Sequence, residues 1–562
     1  MAEEKEEWLR SAEVARKDGD FKAMRACARE ILETEAGDVD ALCLLAEATL
    51  LAGEIDEAKK LIVEVRMRSQ QHLYGMLVEA EIGAAEFKYK EEISLLKGVI
   101  AVAAESDLPN ADDIHIRALE MLADAYILFG EPEKAVRTIF ELSVLAETPA
   151  KKAAYYSKGL FMTNYRPLPV KKSLELHQGY NAFFRAKMTF PHKISEQHGA
   201  KLRIGYISPD FRQHAAANFF TPLLKKYTRH DFVVYAYHVG KSDVVTKRFE
   251  RLPVTWRNLA GLPPMEVARR IYADHIDILV DLSGHTQDSC LPVLIYRPAP
   301  VQVSGIGYIN TTGLNEVDYF LSDTYCMPFA ENHGFTERLM RPAHSHLCYS
   351  PAIVRQPPPP ATVPAAEKNG YVTFGSFNNF NKITFDVLRL WRTIIELVPN
   401  SRLVIKSKIC SVPAGQEIVR EKLREVGFDS SRVELRPYSP DYLEQYRDID
   451  IALDTFPYNG GLTTCEALYM GVPVVSLRGN THGSRMGTSI LENADLPELV
   501  APNENEYINR AVKIARNPEI LAEFHEALRG FLQRSPLMNG EEYMKDLEEE
   551  YHRIWEEKNN PK

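Results

Sequence analysis

The sequence has 562 residues, of which 45% are apolar and 26% are charged. These values are typical of globular domains and exclude a collagen-like, disordered or small disulfide-rich chain, and the length suggests three or four domains. With 67 basic and 78 acidic side chains the net charge is −11, which disfavours sequence-independent binding to nucleic acid or anionic membranes.

Seven cysteines are scattered along the chain without a CxxC pair. This usage indicates a reducing, cytoplasmic environment, with neither a disulfide framework nor a zinc ribbon. The first residues lack the basic and apolar regions of a signal peptide, and no stretch approaches ~20 apolar residues. We therefore expect no membrane insertion.

Residues 1–165 are rich in Ala, Leu, Glu and Lys and predict an array of helices. Gly19 and Gly53 are 34 residues apart, the period of tetratricopeptide repeats, and Gly130 lies in a similar segment. Each glycine is expected to end a helix in the left-handed conformation. A weaker copy at 80–87 lacks the glycine, so the array is irregular. An ordinary helical bundle is the alternative; repeats predict a curved surface that binds protein segments.

From residue 201 the pattern changes to strands that alternate with helices. Ten strands are predicted, over residues 201–208, 232–237, 276–282, 301–304, 317–322, 372–377, 403–406, 433–436, 449–453 and 472–476. This alternation predicts parallel sheets, and a polyproline stretch at 356–364 divides them into two Rossmann-like lobes with a cleft between. Ligands are expected at the carboxyl ends of the strands.

The predicted organisation has five parts. They are helical repeats over 1–165, a helical linker over 166–200, a first lobe on the acceptor side over 201–355, a proline-rich linker over 356–369, and a second lobe on the donor side over 370–562. A final helix near 541–557 is expected to pack back on the first lobe.

The loops after the predicted strands lack the GxGxxG and GxxxxGK[ST] motifs, which disfavours a typical dinucleotide-dependent enzyme and a P-loop NTPase. Instead, Gly460 and Gly461 lie in a segment that runs from a strand into a helix, and they permit a close approach of the backbone. Thr463 and Thr464 lie where free N–H groups at the start of that helix would bind phosphate. The alternative is that the two threonines only cap the helix.

Glu466 and Lys382 complete a predicted nucleoside-diphosphate site. Glu466, one turn into the helix, can accept hydrogen bonds from ribose hydroxyls, although it would also complement the helix dipole. Lys382 follows another strand and can neutralise a diphosphate as a point charge.

His214 and His285 follow strands of the first lobe, where an acceptor would meet the donor. A lone histidine is more often structural, but two in adjacent loops beside small or polar residues favour a site.

These motifs together resemble the protein O-GlcNAc transferase and Spindly family, glycosyltransferase family 41. The resemblance extends over nearly the whole chain and rests on six ordered segments, 205–214, 281–286, 297–302, 307–313, 378–382 and 453–473. It implies tetratricopeptide repeats followed by a two-lobe GT-B catalytic region. It also implies an inverting transferase that moves a sugar, most simply GlcNAc from UDP-GlcNAc, to Ser or Thr of proteins, without a metal or a cofactor beyond the nucleotide sugar.

The resemblance assigns roles to particular residues. His214 falls on the active-site histidine, Lys382 on the lysine that contacts the diphosphate, and Asn379 on a neighbouring donor contact. Thr463, with Thr464 beside it, lies in the phosphate-binding turn, and Glu466 takes the place of the ribose contact. Asp210 and His285 are expected on the acceptor side, and the base remains open between His214, Asp210 and a phosphate oxygen of the donor.

Asp448 and Asp450 resemble the Asp-x-Asp metal motif of another glycosyltransferase class. Because they lead directly into an apolar strand, we interpret them as structural, and no other residues have metal-ligand spacing.

Four rival functions remain open. One is transfer of glucose from UDP-glucose to Asn, and one is transfer of fucose from GDP-fucose to Ser or Thr. One is a repeat adaptor with an inactive GT-B domain, and one is transfer to a lipid or a small-molecule glycan, although the repeats favour a protein acceptor. The sequence also leaves the acceptor proteins and the oligomeric state undecided.

Overall fold

The N-terminal part of the chain is a series of paired helices. The computed structural model describes residues 2–108, 110–166, 168–184, 188–192 and 201–560. The helices of the repeat region are α1 (Ala2–Lys17), α2 (Phe21–Thr34), α3 (Val39–Leu51), α4 (Ile55–Arg68), α5 (Leu73–Ala85), α6 (Tyr89–Ala104), α7 (Ala111–Leu128) and α8 (Pro132–Leu145). Each packs mainly on its neighbours in sequence, as tetratricopeptide-like repeats do.

The turns inside the helix pairs share one hydrogen-bond pattern. Gly19, Gly53 and Gly130 have φ values of 72°, 84° and 72°, and Phe87 occupies the same position with φ 59°. In all four turns the next residue donates its N–H to the carbonyl five residues earlier, at 2.8–3.1 Å. Phe87 follows Gly53 by 34 residues, so the period is regular up to Phe87 and the irregularity lies in the 43 residues before Gly130.

Two compact units make up the chain, Met1–Glu147 with Val412–Ile418, and Thr148–Ser411 with Val419–Lys562. Helix α9 (Pro149–Thr163) therefore belongs to the second unit, although the sequence assigned residues up to 165 to the repeats. The reason is that this segment contacts the first lobe: just after α9, the Asn164 side chain donates to the Tyr308 hydroxyl at 3.1 Å. The predicted linker 166–200 contains α10 (Val170–Gln178), and much of it lies outside the described residues.

The first lobe is built on a seven-stranded sheet in which every pairing is parallel. Its strands are β1 (Leu202–Ser208), β2 (Phe232–His238), β3 (Thr255–Asn258), β4 (Ile278–Asp281), β5 (Val301–Ser304), β6 (Tyr319–Leu321) and β7 (Arg338–Met340). They lie in the order β3-β2-β1-β4-β5-β6-β7. The helices of this part are α11 (Thr221–Lys225), α12 (Thr246–Phe249), α13 (Pro264–Ala273) and α14 (Leu291–Leu294).

The second lobe repeats this architecture with six parallel strands in the order β10-β9-β8-β11-β12-β13. The strands are β8 (Thr373–Ser376), β9 (Arg402–Lys406), β10 (Val433–Arg436), β11 (Ile451–Leu453), β12 (Val474–Leu477) and β13 (Val500–Ala501). The helices are α15 (Ala365–Asn369), α16 (Phe385–Leu397), α17 (Pro413–Glu425), α18 (Leu462–Tyr469), α19 (Met486–Glu492), α20 (Glu504–Ala515), α21 (Pro518–Arg534) and α22 (Gly540–Asn559).

The two sheets confirm the predicted pair of Rossmann-like lobes and all ten predicted strands. The sequence missed β3, β7 and β13, and all three are edge strands. In each sheet the direction of chain progression reverses at one place, between β1 and β4 and between β8 and β11. A crevice outside the carboxyl ends of the strands forms at such a reversal, and ligands of doubly wound sheets bind there.

Two further features of this unit agree with predictions made from the sequence. Helix α22 packs on the first lobe, where the Tyr551 and Tyr206 hydroxyls are 3.1 Å apart. Asp450 is buried and accepts hydrogen bonds from the backbone N–H groups of Ala366 and Thr373, at 2.9 and 2.7 Å, which confirms its structural role. Among the helices described, none is both long and apolar enough to cross a membrane.

Candidate functional site

The predicted site residues of the second lobe follow the two strands at its reversal point. Asn379 and Lys382 lie in the loop after β8, and residues 454–461 connect β11 to helix α18. Because β8 and β11 are adjacent and parallel, both loops leave the same edge of the sheet. The fold therefore brings together segments that are about 75 residues apart in the sequence.

Lys382 lies against the β11–α18 loop. Its Nζ donates a 2.8 Å hydrogen bond to the carbonyl oxygen of Asn459 and lies 3.8 Å from the centroid of the Tyr458 ring. Burial lowers the pKa of Lys382 to about 8, and the nearby Asp454 carboxylate acts in the opposite direction. The ammonium is thus held at the loop that leads into α18.

Asp454 fixes the conformation of this loop. The buried carboxylate accepts the backbone N–H groups of Thr455 and Gly460 at 2.8 and 2.7 Å, and the Ser476 hydroxyl from β12 at 2.6 Å. Gly487 leaves the room for it, because a Cβ there would lie 2.5 Å from Asp454 Oδ2. Burial raises the pKa of Asp454 to about 6, against the effect of these hydrogen bonds.

The start of α18 has no side-chain cap within the described part of the chain. Thr463 Oγ1 donates to Asn378 Oδ1 at 3.0 Å, and Thr464 Oγ1 donates to the Gly460 carbonyl at 3.1 Å. The capping alternative for the two threonines is therefore wrong. The first backbone N–H groups of the helix have no acceptor inside the helix, and such groups are a ready anion site.

Glu466 and Asn379 differ in their environment. Glu466 is buried and accepts a hydrogen bond from the Tyr442 hydroxyl. Burial raises the pKa of Glu466 to about 7, while the Tyr442 hydrogen bond and the Arg355 charge act against that increase. Asn379 is exposed, and its Oδ1 accepts the Asn381 N–H at 3.0 Å.

In the first lobe the loop after β1 brings Asp210 and His214 together. Nδ1 of His214 accepts the Ala216 N–H at 3.3 Å and lies 3.4 Å from Asp210 Oδ2, and the described residues offer no partner to Nε2. Burial lowers the pKa of His214, and burial raises the pKa of Asp210. A neutral imidazole with one free nitrogen therefore lies at the reversal point of the first sheet.

His285 requires a correction. The sequence placed it on the acceptor side, but the ring is 1% exposed, and it bonds to the Ser157 hydroxyl and to the Thr312 carbonyl, both at 2.8 Å. Burial lowers its pKa to about 3. The ring packs against His177, Tyr180 and Tyr308. His285 is a structural residue of the first lobe, because α9 covers the loop that carries it.

The sheets and the loops match a known family. Residues 174–348 and 366–547 match glycosyl transferase family 41, which covers more than half of the chain. The chain belongs to that family.

Relatives in family 41 support this assignment over the two lobes. The probable UDP-N-acetylglucosamine–peptide N-acetylglucosaminyltransferase SPINDLY of Oryza sativa subsp. japonica is 39% identical over 396 residues, which cover 68% of this chain and 41% of that protein. The corresponding Arabidopsis thaliana protein is 41% identical over 363 residues, covering 63% and 39%. The chain thus spans about two fifths of the length of these relatives.

A solved structure extends the similarity to the whole chain. The structure of a mutant O-GlcNAc transferase from Thermobaculum terrenum superposes with a TM-score of 0.77 and 28% identity, and covers 99% of this chain and 98% of that one. Helical repeats followed by a GT-B fold of family 41 are therefore the architecture of this protein.

Sequence reasoning missed three side chains that shape the site. Tyr458 stacks on the ammonium of Lys382, Asp454 anchors the loop, and Tyr442 binds Glu466. The sequence could have indicated Asp454, because an acidic residue at the end of a buried strand needs hydrogen-bond partners. It could not have indicated the two tyrosines, since their neighbours become clear only in the fold.

Proposed function

We propose that this chain is an inverting protein glycosyltransferase that moves GlcNAc from UDP-GlcNAc to Ser or Thr hydroxyls of protein acceptors. Membership in family 41 and the activities for which its relatives are named support the reaction class and the donor. One observation carries the proposal: Lys382 binds the loop that leads into the uncapped start of α18.

The donor diphosphate would lie between the Lys382 ammonium and the first N–H groups of α18. A lysine supplies a point charge, and a helix start supplies oriented donors, so both stabilise a phosphate that gains negative charge. Preorganised groups of this kind are usually the largest contribution to such a reaction. In the proposed reaction they offset the charge of the leaving diphosphate without a divalent ion.

Glu466 is the proposed contact of the donor ribose. A carboxylate that accepts from two adjacent hydroxyls is a common nucleotide-binding arrangement. The Tyr442 hydroxyl engages one carboxylate oxygen and so orients the group. Asn379, exposed at the start of the turn that carries Lys382, is a proposed second polar contact of the donor.

The acceptor hydroxyl is proposed to react beside Asp210 and His214. Its oxygen forms a bond to the anomeric carbon while the bond from that carbon to the diphosphate oxygen breaks, which inverts the anomeric centre. The hydroxyl proton leaves to a base. His214 Nε2 can accept it only in the tautomer whose Nδ1–H donates to Asp210 in place of accepting the Ala216 N–H, and Asp210 and a phosphate oxygen of the donor are the other candidate bases.

The repeats supply the proposed route to protein acceptors. Tetratricopeptide-like arrays bind extended protein segments, so they favour a polypeptide over a lipid or a free glycan as the acceptor.

A donor comparison tests this function. Melting of the full chain is measured with UDP and with GDP, because a ligand of the folded state raises Tm. Acceptor peptides are then incubated with UDP-GlcNAc, UDP-glucose or GDP-fucose, and the modified residue is located by mass spectrometry. The expected result is a shift with UDP and HexNAc on Ser or Thr that Lys382→Ala abolishes.

Three other outcomes of this comparison would contradict the proposed function. Hexose on Asn, or fucose on Ser or Thr, would replace the proposed donor and acceptor. No shift with either nucleotide and no product would leave a repeat adaptor.

A further inference from the structure

Cys326, His346 and His482 meet in the interior of the second unit. Their ligand atoms all lie within 4.8 Å of one another, and the residues are between 0% and 3% exposed. Cys326 follows β6 and His346 follows β7 in the first lobe, whereas His482 follows β12 in the second. The cluster therefore joins the two lobes, and it shares no residue with the proposed donor and acceptor sites.

The histidines of this cluster have unused nitrogen atoms. Among the described residues, Nε2 of His346 has no hydrogen-bond partner, and the ring of His482 has at most one, a backbone group of Ile309. Buried polar atoms of native proteins are nearly always paired, so unpaired nitrogens on two adjacent rings point to a missing ligand. The two rings are 5.1 Å apart between centroids and inclined by 67°.

Asp323 holds the first-lobe part of the cluster in place. Its buried carboxylate is hydrogen-bonded to Nδ1 of His346 and accepts the backbone N–H of Cys326 at 2.8 Å. The Ser489 hydroxyl, from the second lobe, donates to the same carboxylate at 2.6 Å. A carboxylate on one imidazole nitrogen leaves the other as a lone pair, which is the usual support of a metal-binding histidine.

We propose that Cys326, His346 and His482 bind one borderline-soft divalent transition-metal ion, of the Zn²⁺ class, as a structural link between the lobes. A sulfur and two imidazole nitrogens are ligands that this class prefers. Ligand atoms around tetrahedral zinc lie about 3.3–3.6 Å apart, so small rotations of the side chains bring the three protein ligands to that spacing, and a water molecule takes the fourth position.

The charges of this site balance. The Cys326 thiol releases its proton to solvent on binding, and the thiolate together with the Asp323 carboxylate offsets the two positive charges of the ion. Arg485, nearby, is already paired with Glu331 at 2.9 Å. A buried ion needs such compensation, because an unpaired charge in the interior costs several kcal/mol.

Metal content and cobalt spectroscopy of the full chain test the proposal. Protein purified without chelator is expected to contain about one zinc ion per chain, and Co²⁺ added after chelation is expected to give a thiolate-to-cobalt charge-transfer band. Cys326→Ser should remove the band, and His482→Gln should weaken Co²⁺ binding by at least about tenfold. Cys348→Ser, another buried cysteine of the first lobe, is the matched control and should behave as the unchanged protein.

Two results would overturn the site: no stoichiometric metal and no band in the unchanged protein, or a band that survives in Cys326→Ser. The measurement on the unchanged protein decides the matter even if a variant does not fold. UDP binding is measured in the same samples, so failure of the metal site is distinguishable from failure of the proposed transferase.

Discussion

The ammonium of Lys382 lies 3.8 Å from the centroid of the Tyr458 ring. Tyr458 in turn packs on Tyr165, with ring centroids 5.2 Å apart. The aromatic face holds the cation, and the Asn459 carbonyl oxygen accepts a hydrogen bond from it. Tyr458 is thus a positioning residue for the proposed diphosphate contact.

Tyr458→Leu is expected to reduce kcat/KM for transfer by about 2- to 30-fold, the range of a cation–π interaction. Tyr458→Phe keeps the aromatic face and should stay near the unchanged enzyme. Steady-state kinetics on one acceptor peptide checks this. Equal rates for Tyr458→Leu and Tyr458→Phe would show that the ring does not position Lys382.

The lowered pKa of Lys382 predicts a pH limit. Burial favours the neutral amine, so the charge is present below about pH 8 and is lost as the pH rises through that value. The pH profile of kcat/KM, which reports the free enzyme, should therefore fall above about pH 8.

Lys382→Arg serves as the control for this profile. Arginine stays protonated in this range, so whatever activity the variant retains should lack that decline. A profile of the unchanged enzyme that is flat from pH 7 to about pH 9.5 would contradict a role for the lysine charge.

His214→Ala is expected to separate transfer from donor binding. If His214 acts on the acceptor side, transfer falls by about 10²- to 10⁴-fold while the Kd for UDP is unchanged. His230→Ala, an exposed histidine of the same lobe, is the control. A large loss of UDP affinity in His214→Ala would instead place His214 at the donor.

The repeat turn at Phe87 predicts a difference in stability between two substitutions. Phe87 has φ 59°, a conformation that costs an L-residue about 1–2 kcal/mol and glycine almost nothing. Phe87→Gly should therefore be more stable than Phe87→Ala by about 1 kcal/mol, since both lack the side chain. Hydrogen exchange of the amides in α5 and α6 measures this difference. An alanine variant as stable as the glycine variant would show that the backbone at residue 87 is not strained.

Much of the fold is encoded locally. Runs such as 278–280 and 403–405 are continuous and apolar because parallel strands are buried on both faces, so they are recognisable in the sequence. Edge strands β3 and β13 lack that signal, because the first mixes polar residues and the second has only two residues.

The proximity of the candidate site residues was predictable only where they follow a strand. Lys382, Thr463 and Glu466 do, and the second lobe places their two loops at one edge of its sheet. His285 follows a strand too, but its Ser157 contact lies 128 positions away and was invisible in the sequence. Cys326 and His482 are likewise far apart, so no spacing motif could reveal them.

Calorimetric titration with UDP tests the central claim, that Lys382 and the start of α18 hold the donor diphosphate. Lys382→Ala should weaken UDP binding by about 10- to 100-fold, the value of a charge-assisted hydrogen bond, with Tm of the free protein nearly unchanged. Lys408→Ala, an exposed lysine of the same lobe, should bind UDP as the unchanged protein does. Equal UDP affinity in Lys382→Ala and Lys408→Ala would contradict the account.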